Sequence, residues 1–531
     1  MRRNIVPTVV IVGVLAFQTE PRFAHAQSPY GVRKAEQPPA SPSASALAES
    51  RVPAGLGPAK LEEADRILPI NLATALRLAD ARPLVIEAAR AAVETEYGLY
   101  EQARALWLPN VYLGVDYQRH DGGLQSLQTG QLIVGSRNQF IAGAGAQAVF
   151  ALTDAIYAPL AARRLLKARS IDVQTARNDT LLSVAVSYFD VQQARGILAG
   201  TLDSVAKARD LSRRIGALGR GLAAPIEVER VRAALADLEQ QAASFRQDWR
   251  FSSATLTRVL RLDPAAVVVP LEPPHLQVTL ISPKETVDAL IPVGLTNRPE
   301  LASQQAVVQA TLTLLRQERM RPFIPSLVLQ SNATPDELLG AGVFGTGSSG
   351  LNSWSGRSDW NAGVVWQFQN LGLGNRGLVT QRRGEQRQAL VELFRIQDLV
   401  ASEVTQAHAQ VEAAAVRVQQ AEPGLKAAVA SYEGNLKGLS ETVRVGDMLQ
   451  LVNRPQEAVA ALQQLQQAYI NYSTSANDYS RAQFRLFRAL GYPAQGLACG
   501  DSSGPVMPVD TSRPPQMAPV HAPAPCRNCP R

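Results

Sequence analysis

One block of this chain is written twice at a fixed spacing. Arg82-Pro83 in "ARPLVIEAA" returns as Arg298-Pro299 in "NRPELASQQ", 216 residues further on. Pro109 in "LWLPNVYLG" returns as Pro325 in "PFIPSLVLQ", and Phe150 is answered by Trp366, both again 216 apart. Each copy has the same order: a helix of about 35 residues, a short strand, a Gly/Ser-rich loop, a second strand, then a long helical pair. The fold must therefore give two similar units similar places.

The copies are framed by segments of different composition. Residues 1–26 have a basic start (Arg2, Arg3), the apolar run "IVPTVVIVGVLAF" and "AHA" before Gln27, the pattern of a cleavable secretory signal. Residues 27–67 read as a disordered lead-in, 68–283 as the first structural repeat, 284–494 as the second, and 495–531 as a disordered Pro-rich tail. No later stretch is long and apolar enough for a transmembrane helix. Removal of the signal lowers the net charge from +7 to +5. That excess is small and its arginines are scattered along helices, so no nucleic-acid surface is expected. Cys499, Cys526 and Cys529 all lie near the C-terminus, which leaves the body free of cysteine. "CRNC" has metal or redox spacing but no second pair, and the five histidines show no ligand spacing, so no metal or cofactor is expected.

Between the helical segments the period changes to two. Val111, Leu113, Val115 and Tyr117 alternate, as do Phe140 through Phe150, and Trp360, Ala362, Val364, Trp366 and Phe368. Leu327 and Leu329 mark a fourth, weaker strand. Each strand is about ten residues or shorter, the length of a tilted bilayer-spanning strand, and the strands alone fit a soluble hairpin packed on helices equally well. The Gly-rich "GVFGTGSSG" at 342–350 lacks the Lys and following helix of a phosphate loop and reads as an exposed connection.

The helices repeat every three and four residues. Val228, Val231, Leu235, Leu238, Ala242, Phe245 and Trp249 step without a slip, and Val404, Val411, Val418, Leu425, Tyr432 and Leu439 recur every seven. Leu462 to Leu490, and Val184, Val191, Leu198 and Val205, keep the same period. A sustained period of about 3.5 means helices coiled around one another. Residues 156–215 would form a rod of roughly 90 Å. Pro423 is expected to interrupt or kink its counterpart. Each rod reverses at a Gly-rich turn, "IGALGRGLAAPIEVERV" and "VRVGDMLQLV", giving two helical hairpins per chain.

Four strands leave open edges that lipid cannot satisfy, so closure of a barrel requires several chains, and three chains give twelve strands and twelve rods. At this point the residues resemble a known family. "INLATALRLADARP", "ARALWLPNVYLG", "VVWQFQNLGLGNRG", "GLAAPIEV", "VGDMLQLV" and "YSRAQFRLFRALGYP" are together similar to the TolC-like outer-membrane efflux proteins, over about residues 68–494. The resemblance implies a mainly α fold with a small β part. Long coiled-coil hairpins would form an α-barrel, and four strands per chain would complete a twelve-stranded transmembrane β-barrel in a homotrimer. It further implies a passive exit duct in the outer membrane, contacting lipid and reaching into the periplasm. Such a duct serves a tripartite efflux pump or type I secretion system through a periplasmic adaptor and an inner-membrane pump of RND or ABC type.

The same resemblance places the adaptor-docking tips at Leu218, Gly219, Arg220 and Gly221 in one hairpin and at Val443, Gly446 and Asp447 in the other. The physical rationale is that a tight turn exposes a small, backbone-rich seat for another coiled coil. Some family members narrow the entrance with aspartates just after the second tip. Here Asn453, Arg454 and Gln456 stand instead, so a periplasmic entrance at these positions would lack an acidic ring. No catalytic motif is present, and no enzyme activity is expected.

Overall fold

The computed structural model describes residues 56–492, except 64, 82–83, 126–128, 219–223, 331–338, 347–350, 358–359 and 446–447. The expected signal, the tail from 495 and all three cysteines lie outside the described residues, which belong to one unit, Pro42–Arg531.

In chain order, the first half contains β1 (Arg66–Ile70), α1 (Leu72–Ala81), α2 (Leu84–Arg104), β2 (Asn110–Gln125), β3 (Leu132–Ala151), α3 (Leu152–Ala217), α4 (Pro225–Leu260) and β4 (Ala266–Pro270). There follow α5 (Val287–Asn297), α6 (Pro299–Met320), β5 (Ser326–Gln330), β6 (Leu339–Thr346), β7 (Ser353–Arg357) and β8 (Asn361–Val365). The chain continues as α7 (Leu373–Gly438), β9 (Thr442–Val445), β10 (Met448–Leu451) and α8 (Pro455–Ala489). The fold is mainly helical, with α3 and α7 66 residues each. That length is about 100 Å at 1.5 Å per residue.

The expected 35-residue helix of each copy is two helices. In the second copy α5 stops at Asn297 and α6 begins at Pro299, because Arg298 is extended (φ −67°, ψ 120°), as a residue before proline must be. Pro423 behaves in the opposite way. Helix α7 runs through it unbroken, with Pro423 and Gln419 both on exposed turns, so the carbonyl that loses its partner faces water. The lead-in is also shorter than expected. Ala59 is buried, Glu62 bridges Arg246 (2.7 Å) and Arg250 (2.5 Å) of α4, and β1 pairs in parallel with β4.

The large sheet has four tracks rather than four simple strands. β2 pairs along its full length of 16 residues with Leu132–Gln147 of the 20-residue β3, longer than the apolar alternation, since the polar run beyond Tyr117 continues the ladder. β5 and β6 lie end to end along the other edge of β3, and β8 and β7 follow along β5 and β6. The stretch expected as a loop from 342 thus starts inside β6. A side chain at Gly340 or Gly342 would stand 2.3 Å or 2.2 Å from a carbonyl oxygen of β3, which explains why glycine is needed there. Register places Leu113, Val115 and Tyr117 opposite Ala144, Ala142 and Phe140, and Leu327 opposite Phe150 and Val364, all on one face. Asp116, Gln118 and Gln139 occupy the other, with Gln139 donating to Gln118 at 2.6 Å.

The heptad positions form the helical core. Val404, Val411, Val418, Leu425, Tyr432 and Leu439 are all buried, as are Val184, Val191, Leu198 and Val205. Helix α8 lies between α3 and α7. Gln466 donates to Thr201 of α3 (2.8 Å), and Tyr469 donates to Asp203 (2.9 Å). The segment after β4 is stitched along α8 by Gln483, which accepts from the amides of Leu280 and Ile281 and donates to the Ile281 carbonyl. Trp249 of α4 donates to the Val268 carbonyl of β4 (2.9 Å).

Two outcomes test this packing. Gly200 faces Tyr469 so closely that a Cβ would lie 2.6 Å from its Cβ, whereas Gly434 has open space. Gly200→Ala is expected to destabilise by roughly 1–2 kcal/mol despite its higher helix propensity, and Gly434→Ala to stabilise by roughly 0.5–1 kcal/mol, read as opposite shifts in thermal unfolding. Asp65 concerns the lead-in: burial raises its pKa, but the Glu62 amide and the Arg250 guanidinium outweigh this and hold it below the ordinary value. A lowered folded pKa gives stability that is complete above about pH 4, the unfolded value, and is lost as pH falls through the folded value. Hydrogen exchange of residues 59–70 should therefore accelerate in acid below pH 4, and Asp65→Asn should show the faster exchange already at pH 7.

Candidate docking tips and a buried helix joint

Helix α3 ends at Ala217, and Leu218 caps it by donating its amide to the Ile215 carbonyl (3.1 Å) while its side chain packs on the core. Gly219, Arg220 and Gly221 lie outside the described residues. The chain resumes at Ala224, extended, with Pro225 opening α4. Ile226, in that first turn, is 63% exposed.

The second tip is more than a turn. β9 and β10 form a short antiparallel hairpin in which Val443 pairs with Gln450, while Gly446 and Asp447 lie outside the described residues. Alternation of Thr442, Val443, Arg444 and Val445 around a Gly-Asp pair is the available sequence signal for it. Val443 and Val452 expose apolar surface.

The three positions after this hairpin have different surroundings. Asn453 turns inward. Its side-chain amide donates to Asn435 (3.2 Å), its backbone amide donates to the Gly438 carbonyl (3.3 Å), and its side chain fills the space a Cβ on Gly438 would need. Arg454 is the exposed, extended residue before Pro455 and has no ion pair among the described residues. Gln456 accepts from Arg230 of α4 (3.4 Å), which also pairs with Glu227 (2.7 Å), so the first turns of α4 and α8 meet across the two tips.

A charged site far from the tips escaped the sequence reading, although its first member is in the repeated Arg-Pro pair. Arg298 is only 4% exposed and reaches Glu403 of α7 (2.6 Å), Glu300 of α6 (3.1 Å) and the terminal Arg488 carbonyl of α8 (3.4 Å). Arg488 returns the contacts, to Glu300 (3.0 Å), Glu403 (2.9 Å) and Asp179 of α3 (2.7 Å). Burial alone would lower the Arg488 pKa, but these three carboxylates raise it, so it stays charged. Gly491 completes the joint in the left-handed region (φ 74°), so close that a Cβ would lie 2.7 Å from the Asn297 carbonyl carbon. Here α8 ends and α6 takes over the groove between α3 and α7: Ser303 donates to the Ala168 carbonyl of α3 (3.2 Å) and Gln304 to the Ala389 carbonyl of α7 (2.9 Å). The carbonyl end of one helix thus faces the amide end of the next, with a cation and two carboxylates between them.

Among the described residues no His, Cys, Asp and Glu group could hold a metal ion, and no helix is long and apolar enough to cross a membrane. The geometry defines a protein class: coiled helical hairpins joined to an antiparallel sheet with one apolar face. Solved structures that superpose on this chain include outer-membrane proteins. VceC from Vibrio cholerae superposes with TM-score 0.62 at 15% identity, over 79% of this chain and 96% of that one. The open state of the MtrE outer membrane channel of Neisseria gonorrhoeae gives 0.64 at 14%, over 82% and 94%. The CmeC outer membrane channel of Campylobacter jejuni gives 0.58 at 16%, over 79% and 85%. No family model and no curated protein matches the chain in sequence. The chain has the fold of the TolC-like outer membrane factors.

The joint yields a prediction. Arg298→Met leaves two carboxylates beside Arg488 with one cation fewer. The expected loss is roughly 2–4 kcal/mol, below that of a fully buried pair because Glu403 is a third exposed. Arg454→Gln should change stability by less than about 0.5 kcal/mol. Chemical denaturation of the two variants under matched detergent checks the contrast.

Proposed function

We propose that the chain is one protomer of a homotrimeric exit duct in the outer membrane, with a long periplasmic extension, that passively conducts small molecules or polypeptides. The observation that carries this reading is the sheet itself. It has one face of exposed Leu113, Val115 and Tyr117 and an opposite face of Asp116, Gln118 and Gln139, and among the described residues neither β2 nor the β7/β8 track has a partner on its outer edge. Such a sheet suits lipid on one side and water on the other, but its edges must pair with those of other copies before lipid can surround them. Three copies of four tracks give twelve.

In this reading the tips, Leu218 to Gly221 and Val443 with Gly446 and Asp447, seat a periplasmic adaptor, which links the duct to an inner-membrane pump of RND or ABC type. Exposed Ile226 and Val443 supply apolar surface for such a seat. Asn453 is occupied in holding the second hairpin to α7, so Arg454 is the residue of this group with a charge to present to a passing solute.

Planar-bilayer conductance of the detergent-extracted protein tests the duct. Discrete channels that require the trimer are expected, and failure to enter the outer membrane, or a trimer without conductance, overturns the proposal in favour of a pore-less coiled-coil scaffold. Val443→Asp should leave single-channel conductance unchanged while reducing adaptor cross-linking several-fold.

A further inference from the structure

Where the helices meet the sheet, exposed side chains change character in the same order on three elements. Along α3, moving away from β3, exposed Ile156 and Leu160 are followed within two turns by exposed Arg163, Arg164 and Lys167. Along α6, moving back from β5, Phe323 and Met320 give way to Arg319 and Arg316. Along α7, Leu371 and Leu373 are followed by Arg376. Of the carboxylates at this level, Asp154 and Glu318 both turn onto Arg321, and Glu101 of α2 lies against Tyr97 of its own helix. The exposed cations named here have no ion-pair partner among the described residues. The result is an apolar band with a positive border below it, repeated around the strand-to-helix junction.

We infer that this border is a binding surface for anionic phospholipid headgroups in the leaflet that faces the helices, an inference resting on the membrane reading above. Leu160 lies eight residues into α3 and Lys167 fifteen, about 12 Å and 23 Å along the helix. Flexible arginine and lysine side chains bridge the remaining distance by extending along the apolar surface to the headgroup layer. A cation near an anionic surface attracts it at Debye range, and a cluster of them selects anionic over zwitterionic lipid. Cations lining a water-filled duct would need no exposed Ile156 and Leu160 directly above them.

The experiment reconstitutes the full-length protein in vesicles and measures quenching of its tryptophan fluorescence by brominated phosphatidylcholine or brominated phosphatidylglycerol. Trp107 and Trp366 stand exposed at the junction. Phosphatidylglycerol is expected to associate several-fold more strongly, with the preference reduced at least twofold by 1 M salt and by the triple variant Arg163→Gln, Arg164→Gln, Lys167→Gln. The variant Arg163→Lys, Arg164→Lys should retain it. Equal quenching by both lipids, or a preference indifferent to salt and to the glutamines, overturns the inference while the membrane reading stands. Absence of quenching by either lipid overturns the membrane reading and this inference with it.

Discussion

The packing of α8 into the groove between α3 and α7 is the interaction on which the other elements depend. Its Leu462, Leu465, Tyr469, Tyr472 and Ala476 are buried by neighbours on both flanks, and among the described residues α3 and α7 have no other helix to span the gap between them over this length. A seven-residue period keeps that seam facing the same partners over many turns. Polar residues inside the seam fix its register. Gln466 on Thr201, Tyr469 on Asp203 and the tight fit of Gly200 against Tyr469 each align one level of α8 with one level of α3. Once α3 and α7 are held parallel in this way, the strands that precede them, β3 and β8, are delivered to one sheet with β5 between them.

Periodic features were the most legible in the sequence. Every heptad position named in α7 and α8 is buried, and the alternating residues of the strands fall on one face because a period of two leaves no other choice once the register is set. Single-residue signals were less dependable. Proline at 299 ends a helix and proline at 423 does not, because the second faces solvent, which a sequence does not state. The β9/β10 hairpin is hidden within what looks like a bare turn, since four residues per strand give too short a pattern to stand out from the helices on either side.

Charged residues were the hardest to read, for a physical reason. Arginines that look scattered along the chain are sorted by the fold into two populations. Arg298, Arg321 and Arg488 are drawn inward by carboxylates distant in sequence, while Arg163, Arg319 and Arg376 are left outside at one level. No local pattern distinguishes them, because the partners that decide the matter come from other helices. Of the expected entrance positions, Asn453 has a structural role that only the proximity of Gly438 and Asn435 makes visible.

The joint at Arg298 and Gly491 brings together Arg298 and Arg488, which are 190 residues apart in the chain, so no peptide bond carries force across it. Helices α3 and α7 pass the same level as unbroken rods. At Gly491 the contact along the groove is backbone against backbone, whereas beside it Arg298 and Arg488 share Glu300 and Glu403 through their side chains. The α8 line is thus a strut with a swivel, set between two rigid shafts.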